Sequence, residues 1–277
     1  MNSRRTFIKN SALAGAGSLL LPTFSFTKHE NVAYGVQLYT FRDELAKDAK
    51  GTLRKIADLG IKKIESARSS KGLYYGLTPK EMKKECENLG MNLVSGHVAL
   101  DENFDHTMAQ AVESGQEYVI CSSLPSKGQT VENYKRVADA FNKAGESCKK
   151  LGLKFGYHNH EYEFESHKGQ VLYDVLMDYT DPELVFMELD LGWVVVAGLE
   201  PMDYFKKYPG RFPCWHLKDM DMHEKESTEF GKGGLDIAQI MDSQKASGVE
   251  HIFIEQEEYA NNALDSMKHN MQFLKAL

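Results

Sequence analysis

Short apolar runs rich in β-branched and aromatic residues alternate along the chain with longer segments in which apolar residues recur at helical spacing. The short runs predict strands and the longer segments predict helices. The predicted strands cover residues 32–40, 62–67, 92–98, 118–122, 154–160, 184–190, 213–218 and 251–256. The predicted helices cover residues 46–59, 79–89, 105–114, 131–151, 171–179, 201–207, 237–247 and 263–277. Strand and helix therefore alternate eight times along the chain.

The predicted helices carry recognisable signals at their ends. Glycine follows several of them, as at Gly60 and Gly90, and Pro79 and Pro201 stand at first helical positions. Eight strand–helix pairs in about 250 residues indicate a single-domain α/β fold, the (β/α)8 TIM barrel, over residues 32–277. An open, doubly wound sheet is the alternative. The lack of a GxGxxG motif after the first strand counts against a dinucleotide-binding fold.

Four predicted strands turn from apolar to polar where they end, and each polar tip carries a candidate metal ligand. The tips supply His158 or His160, Asp190, His216 and Glu255. Parallel strands of a closed barrel bring such tips together around its axis. Two imidazoles and two carboxylates suit Zn, Mn, Fe or Co better than Ca or Mg. We therefore expect one divalent metal bound by His158, Asp190, His216 and Glu255, with His160 as the substitute for His158.

Asp190 and His216 also have possible structural roles that do not involve a metal. Asp190 is a candidate cap for the turn after its strand, and His216 is a candidate hydrogen-bonded core residue. Strand alternation places His158 and His160 on the same face, so the pattern leaves the choice between them open. The coincidence of candidates at four strand tips favours the metal site.

His97 and Lys218 are candidate catalytic groups near the predicted mouth of the barrel. An imidazole transfers protons, and an ammonium group stabilises an enolate oxygen. The structural alternatives are a hydrogen-bonded His97 and a salt bridge from Lys218 to Asp219 or another acid. The glycine-rich loop 230–236 is interpreted as a flexible connection, with a phosphate cradle as the alternative.

Four other residues are candidates for substrate binding, because they lie in or just after predicted strands. They are Glu65, Arg68, Trp193 and Gln37. Glu65 and Arg68 have groups that hold sugar hydroxyls, with an ordinary surface ion pair as the alternative. Trp193 has a ring that stacks on a sugar, although packing at the barrel rim explains such a residue equally well.

Residues 1–27 have the pattern of a twin-arginine export signal. The segment SRRTFIK pairs Arg4 with Arg5 and is followed by a short apolar stretch, SALAGAGSLLLP. A short amphipathic helix with a chance arginine pair is the alternative. The apolar stretch is too short for a secure membrane span. We therefore expect residues 1–27 to be removed and the protein to be periplasmic, although the sequence leaves the mature N-terminus undefined.

Charge and cysteine content narrow the classes of partner. Three of the 33 basic residues and none of the 40 acidic ones lie in residues 1–27, so the rest has 30 basic against 40 acidic residues. This balance argues against a nucleic-acid partner. Hydrophobic residues make up 42% of the chain, as in a globular protein. The four cysteines lack CxxC spacing and are expected to be free, mostly buried thiols, with one disulfide as the alternative.

Three motifs, WHLKD, FIEQE and FGKGGLD, are similar to those of the sugar phosphate isomerase/epimerase family of xylose isomerase-like TIM barrels, in its subgroup exported by the twin-arginine route. The resemblance covers roughly residues 32–277. In the sugar-converting members, four ligands from strands 5 to 8 hold one divalent metal, commonly Glu, Asp, His and Glu. By position, the resemblance implies the ligands His158, Asp190, His216 and Glu255, with a histidine where the family commonly has its first glutamate.

The resemblance implies a metal-dependent isomerase or epimerase that acts on a small-molecule sugar or keto-sugar by enolisation next to its carbonyl. Ketose 3-epimerases of this superfamily use two metal-bound glutamates as an acid–base pair, so His158 makes the pair asymmetric and suits an elimination as well. The alternative is a periplasmic 3-keto-glycoside lyase or hydratase, and the second alternative is a non-catalytic sugar-binding barrel. The acidic balance opposes a phosphodiester nuclease. The sequence leaves the sugar, the metal and the oligomeric state open.

Within this scheme Glu255 is expected to be both metal ligand and proton-abstracting base. Asp190 is then chiefly structural, and Lys218 holds the enediolate oxygens together with the metal. His160 or His97 is expected to return or donate the second proton.

Overall fold

The structure, a computed structural model, describes residues 33–277. Its central strands are β1 (Gly35–Gln37), β2 (Lys63–Ser66), β3 (Asn92–Val98), β4 (Tyr118–Cys121), β5 (Lys154–His158), β6 (Val185–Asp190), β7 (Cys214–Leu217) and β8 (His251–Ile254). Each strand pairs in parallel with the next one along the chain, and β8 pairs with β1, so the sheet closes into a barrel. This confirms the predicted (β/α)8 TIM barrel.

Helices surround the barrel. They are α1 (Arg42–Lys47), α2 (Ala49–Asp58), α3 (Pro79–Asn88), α4 (Phe104–Ser114), α5 (Val131–Lys150), α6 (Leu172–Tyr179), α7 (Leu191–Val196), α8 (Pro201–Lys207), α9 (Ile237–Asp242), α10 (Gln244–Ser247) and α11 (Ala263–Ala276). Pro79 stands in the first turn of α3, and Thr78 caps that helix in a reciprocal capping box with Glu81. Gly60 and Gly90, which follow α2 and α3, have φ angles of 87° and 67°, as helix ends of this kind require.

The barrel interior is filled by apolar side chains near the amino ends of the strands. One buried cluster there joins side chains of four strands: Val94, Tyr118, Ile120, Cys214 and Phe253. Gly156 lies beside this cluster, and a Cβ at that position would be 2.6 Å from the Ile120 side chain. The barrel is therefore a packed core at this end, and polar side chains are left to occupy the other end.

The structure departs from the predicted boundaries close to strand ends. β1 stops at Gln37, because the Gln37 side chain accepts a backbone hydrogen bond and starts a 3-10 turn over Leu38–Phe41. The predicted helix 46–59 is divided into α1 and α2 at Asp48, which caps α2. After β6, the short helix α7 begins at once, and Asp190 caps it.

Two loops at the carboxyl ends of the strands contain antiparallel hairpins that the sequence pattern did not predict. One pairs Ser166–His167 with Gln170–Val171, and the other pairs Asp219–Asp221 with Glu226–Thr228. Ser227 Oγ of the second hairpin accepts a hydrogen bond of 2.6 Å from the backbone after β8. This contact ties the loops after β7 and β8 together.

Three points concern export, the membrane and the cysteines. The predicted export signal at residues 1–27 lies outside the described residues. Within residues 33–277, the helices are too short or too polar to cross a membrane. The four cysteines are free and buried, as their spacing indicated.

Candidate functional site

A cavity of about 540 Å³ opens at the carboxyl ends of the barrel strands. Its lining residues are Tyr39, Ala67, Arg68, Ser69, Ser70, His97, Ser122, His158, His160, Glu255 and Glu257. Most of these side chains are polar or charged, so the cavity suits a hydrophilic ligand. The position is also the one at which (β/α)8 barrels carry their active sites.

The structure brings the four predicted metal ligands together. His158 and Asp190 end β5 and β6, His216 lies on β7, and Glu255 follows β8. Asp190 Oδ2 lies 3.9 Å from His158 Nε2 and 3.8 Å from His216 Nδ1. His216 Nδ1 lies 2.9 Å from Glu255 Oε2. One ligand atom from each buried side chain lies within 4.8 Å of the others, so the arrangement has the form of a metal site.

Buried polar atoms without hydrogen-bond partners mark the same region. They are His158 Nδ1 and Glu188 Oε1, whereas Asp190 Oδ2 has the Lys218 ammonium group 3.1 Å away. Such atoms are costly to bury, and a cation nearby would satisfy them. The separations of 2.9–3.9 Å also match ligand atoms that share one ion through bonds of about 2.0–2.2 Å. The residues present therefore fit a divalent ion, whose presence stays a prediction.

Lys218 is a buried cation in contact with this group. Its side chain is 1% exposed, and Nζ lies 2.7 Å from Glu255, 2.8 Å from Glu257 and 3.1 Å from Asp190. Burial would lower the pKa of Lys218, but these three carboxylates outweigh burial and raise the pKa well above its usual value. Burial would raise the pKa of Glu255, but Lys218 and the nearby imidazoles hold it well below its usual value. Lys218 therefore forms salt bridges with acids other than Asp219, as the structural alternative in the sequence analysis allowed.

An inner cluster of Glu65, His97, Glu188 and His216 lies next to the predicted metal ligands. His97 Nε2 lies 2.7 Å from Glu188 Oε2 and 3.3 Å from Glu65 Oε1. His216 Nε2 lies 2.6 Å from Glu65 Oε1 and 3.2 Å from Glu188 Oε2. The sequence analysis missed Glu188, although it stands two residues before Asp190. Alternation within the strand was the signal that could have found it, because residues two apart point to the same face.

The imidazoles of the site have different electrostatic surroundings. Burial would lower the pKa of His97, but the two carboxylates of the inner cluster outweigh burial and raise it to about 9. Burial and the neighbouring imidazoles hold the pKa of His158 well below its usual value. Burial and the charge of Lys218 lower the pKa of His160 to about 4. Near neutral pH, His97 can therefore donate a proton, whereas His158 and His160 are neutral.

The four predicted substrate-binding residues take different positions. Arg68 lines the cavity. Gln37 and Glu65 are fully buried, and Gln37 Nε2 donates a hydrogen bond of 2.8 Å to Glu65 Oε1. The ring centroid of Trp193 lies 5.1 Å from Lys218 Nζ. Arg68 is therefore the member of this set that lines the cavity, and the substrate contacts of all four stay predictions.

Glu257 and the glycine-rich loop 230–236 lie at the carboxyl ends of the strands. Glu257, which the sequence analysis did not single out, lines the cavity beyond the end of β8. In the glycine-rich loop, the backbone N–H groups of Gly231, Gly233 and Leu235 donate to the carboxylate of Asp219 at 2.9–3.1 Å. These amides are directed at an internal anion, so the loop is a structured connection and not an open phosphate cradle.

Solved structures of the same architecture extend over most of the chain. A sugar phosphate isomerase/epimerase from Parabacteroides distasonis is 28% identical with a TM-score of 0.78, and the match covers 88% of this chain and 98% of that one. A second protein so described, from the same organism, is 25% identical with a TM-score of 0.76, over 88% and 93% of the two chains. An L-ribulose 3-epimerase, 16% identical with a TM-score of 0.67 over 88% and 93% of the two chains, shares the fold.

Curated relatives match a shorter part of the chain. An inosose dehydratase from Clostridium perfringens is 34% identical over 101 residues, which are 36% of this chain and 33% of that protein. Inosose dehydratase 2 from Bacillus cereus is 36% identical over 91 residues, which are 33% of this chain and 30% of that protein. The matched part thus spans about a third of the length of these relatives. A family model described as the xylose isomerase-like TIM barrel matches residues 53–277, and the chain belongs to that family.

Proposed function

We propose that this protein is a metal-dependent enzyme that removes a proton next to the carbonyl of a sugar or keto-sugar. The proposal is carried by the buried group of His158, Asp190, His216 and Glu255 beside a polar cavity, which two of these residues line. Such a site offers a cation and a base to a small polyhydroxylated ligand. The relatives named inosose dehydratase and sugar phosphate isomerase/epimerase support this substrate class.

Each residue in and beside the cavity is assigned one role in the proposed reaction. A divalent ion held by the four ligands would act as a Lewis acid that polarises the substrate carbonyl. Glu255 is the base, because its carboxylate lines the cavity and is ionised. His97 or His160 handles the second proton, since both line the same cavity. Lys218 holds Glu255 in place, because its ammonium group is enclosed by three carboxylates.

The arrangement of these groups favours elimination of water over epimerisation. An epimerase needs an acid and a base on opposite faces of one carbon, and a pair of carboxylates on different strands serves this purpose. Here both lining carboxylates, Glu255 and Glu257, follow β8, and the other ionisable groups of the wall are Tyr39, Arg68, His97, His158 and His160. In an elimination, Glu255 takes the α-proton, the bond from the β-carbon to its hydroxyl oxygen breaks, and His97 protonates the departing oxygen so that water leaves.

An isomerase or epimerase is the second candidate. The solved sugar phosphate isomerase/epimerase structures match most of the chain, whereas the dehydratases match about a third of it. In this reaction Glu255 takes the α-proton, and His160 or His97 returns a proton to the resulting enediolate.

Incubation of the purified protein with inososes, 3-keto-glycosides and free ketoses in D₂O tests the proposal. Zn²⁺, Mn²⁺, Co²⁺ or Fe²⁺ is added after treatment with a chelator, and the chelated protein is the control. We expect solvent deuterium at the carbon next to the carbonyl, and a dehydratase also forms a product lighter by one water. Mass spectrometry and NMR distinguish this product from an isomer of unchanged composition. The proposal is contradicted if none of the four metals leads to product formation or to deuterium exchange.

We also propose that residues 1–27 direct export by the twin-arginine route, so that the enzyme acts in the periplasm. The arginine pair before a short apolar stretch supports this assignment. Replacing Arg4 and Arg5 by lysine is expected to leave the precursor in the cytoplasm, as measured by cell fractionation. Lys9→Gln, which changes charge but keeps the pair, is the control. Normal export of the double-lysine variant contradicts the assignment.

A further inference from the structure

Glu65 is a buried carboxylate that already receives two neutral hydrogen-bond donors. Its side chain is 0% exposed. Gln37 Nε2 donates to Oε1 at 2.8 Å, and Ser95 Oγ donates to Oε2 at 2.5 Å. The three residues are register partners on the neighbouring strands β1, β2 and β3. The sheet itself therefore fixes the direction of this carboxylate inside the barrel.

His216 Nε2 is a further donor to the same carboxylate. It lies 2.6 Å from Glu65 Oε1. An ionised carboxylate only accepts hydrogen bonds, so the proton of this contact is on Nε2. The other ring nitrogen, Nδ1, lies 2.9 Å from Glu255 Oε2 and 3.8 Å from Asp190 Oδ2. By the same argument Nδ1 donates to Glu255 when no ion is bound, so an ion that binds Nδ1 displaces that proton, whereas the proton on Nε2 stays with Glu65. One nitrogen of the ring thus faces the inner cluster, and the other faces the predicted metal group.

We propose that Glu65 is a positioning residue that holds the Nε2 proton of His216, so that His216 binds a divalent ion through Nδ1. The inference rests on the proposed function, because it assigns the ligand atom at that same site. A histidine that binds a metal commonly donates its other ring N–H to a carboxylate, which sets the tautomer and orientation of the ring. Gln37 and Ser95 support this role because they hold the carboxylate.

Two other roles for Glu65 meet physical objections. Substrate binding requires access to the cavity, but Glu65 is fully buried and other side chains form the cavity wall. Binding of a second ion by Glu65 and His216 requires their ligand atoms to be about 2.8 Å or more apart, given bonds of about 2.0–2.2 Å. Their separation of 2.6 Å is that of a hydrogen bond between charged groups.

Glu65→Gln tests the proposal, because an amide can present either an acceptor or a donor to Nε2 and no longer selects the proton there. Co²⁺ is the probe. Its dissociation constant is measured by competition with a chelator, and its visible spectrum reports the ligand geometry. We expect binding to be weaker by about 10–100-fold and the spectrum to change. Glu65→Asp, which shortens the carboxylate but keeps its charge, is the second variant and should weaken binding less.

Ser95→Ala is the matched control in the same buried region. It removes one donor to Glu65 but leaves the acceptor for His216, so it should change the affinity for Co²⁺ far less than Glu65→Gln. Equal losses in the two variants would mean that Glu65 matters only for the fold of this region, which overturns the proposal. Two Co²⁺ ions per wild-type chain, falling to one in Glu65→Gln, also overturn it, because Glu65 is then a ligand.

NMR of the ¹⁵N-labelled imidazoles gives a readout that does not need the metal. We expect a low-field Nε2–H resonance for His216 in the wild type and its upfield shift in Glu65→Gln. An unchanged resonance, or binding of Co²⁺ within about twofold of the wild type, overturns the proposal. If the wild type binds no divalent ion, the proposed function fails, whereas the Nε2–H resonance still decides whether Glu65 holds the proton.

Discussion

The two ends of the barrel carry the same kinds of ionisable residue in different surroundings. At the amino ends of the strands, Lys154 Nζ lies 2.6 Å from Glu117 and 3.6 Å from Glu250, and Lys63 Nζ lies 2.9 Å from His251 Nδ1. The side chains of Lys154, Glu117 and Glu250 are 37–54% exposed. Water therefore solvates these groups, and each acid also has a cation beside it.

At the carboxyl ends, acids, histidines and a lysine lie in a buried site. The predicted metal ligands and Lys218 have side chains that are 0–6% exposed, and two nearby polar atoms, His158 Nδ1 and Glu188 Oε1, lack hydrogen-bond partners. An exposed ion pair contributes about 0–1 kcal/mol, whereas a buried ion costs several kcal/mol unless it is well paired. Burying many charges at one end therefore costs stability, and this supports the placement of the candidate functional site at that end.

The largest contrast is expected between two acids that flank β8 at its opposite ends. Glu255→Gln removes the base beside the cavity and should lower the turnover number by about 10²–10⁴-fold, although the amide oxygen can still bind a metal. Glu250→Gln, the same chemical change at the amino end, should leave turnover unchanged. Initial rates, deuterium uptake and metal content measure both. If Glu255→Gln binds metal and stays within about threefold of the wild type, the base is another group, and His158 and His160 become the next candidates.

A smaller contrast concerns the stability contributed by one lysine at each end. Lys218→Met leaves buried carboxylates without their cation and should lower the free energy of unfolding by about 3–5 kcal/mol. Lys154→Met breaks exposed pairs and should cost less than about 1 kcal/mol. Urea unfolding measures both, and Co²⁺ should restore part of the loss in Lys218→Met because it neutralises the same carboxylates. Equal losses at the two ends would remove the distinction drawn between them.

An effect that depends on pH is expected for an acid that is buried near the mouth. Glu163 accepts hydrogen bonds from the Tyr157 hydroxyl and from the His160 backbone, and burial raises its pKa to about 8 from the ordinary 4.5. Because the folded pKa is the higher one, the stability contributed by this group is present below pH 4.5 and is lost as pH rises through about 8. Glu163→Gln should therefore gain stability relative to the wild type between pH 5 and 8, by at most about 1.4 kcal/mol per pH unit.

Urea unfolding at several pH values measures this difference. Glu161→Gln, an exposed neighbour on the same loop, is the control and should show no such trend. A difference between Glu163→Gln and the wild type that does not vary with pH would show that Glu163 is ionised in the folded protein throughout this range.

The strands and helices could be predicted because their patterns are local. The run at 92–98 coincides with β3, in which Leu93, Val94 and Val98 supply the apolar positions. The first strand was predicted too long, because the apolar pattern continues into the turn that Gln37 starts with its side chain. A side-chain hydrogen bond to the backbone does not change the periodicity of the sequence, so the pattern could not show where this strand stops.

The candidate site could be predicted in part. His158, Asp190, His216 and Glu255 were identified because each is a polar residue at the end of an apolar strand, and the structure places them together. Glu188 was missed because it lies within such a strand and not at its tip. Whether an acid inside an apolar run has a partner depends on the strands beside it, which the sequence of one strand does not specify.

By itself, the sequence determined the eight strand–helix units, the (β/α)8 barrel class and the types of residue available at the mouth. These properties follow from local periodicity and from the rule that parallel strands end together. Only the tertiary structure decided which polar side chains line the cavity and which turn towards one another inside the barrel. Register and closure set these directions, so that Glu65 faces Gln37, Ser95 and His216 instead of the cavity, and the two nitrogens of one imidazole face two different groups.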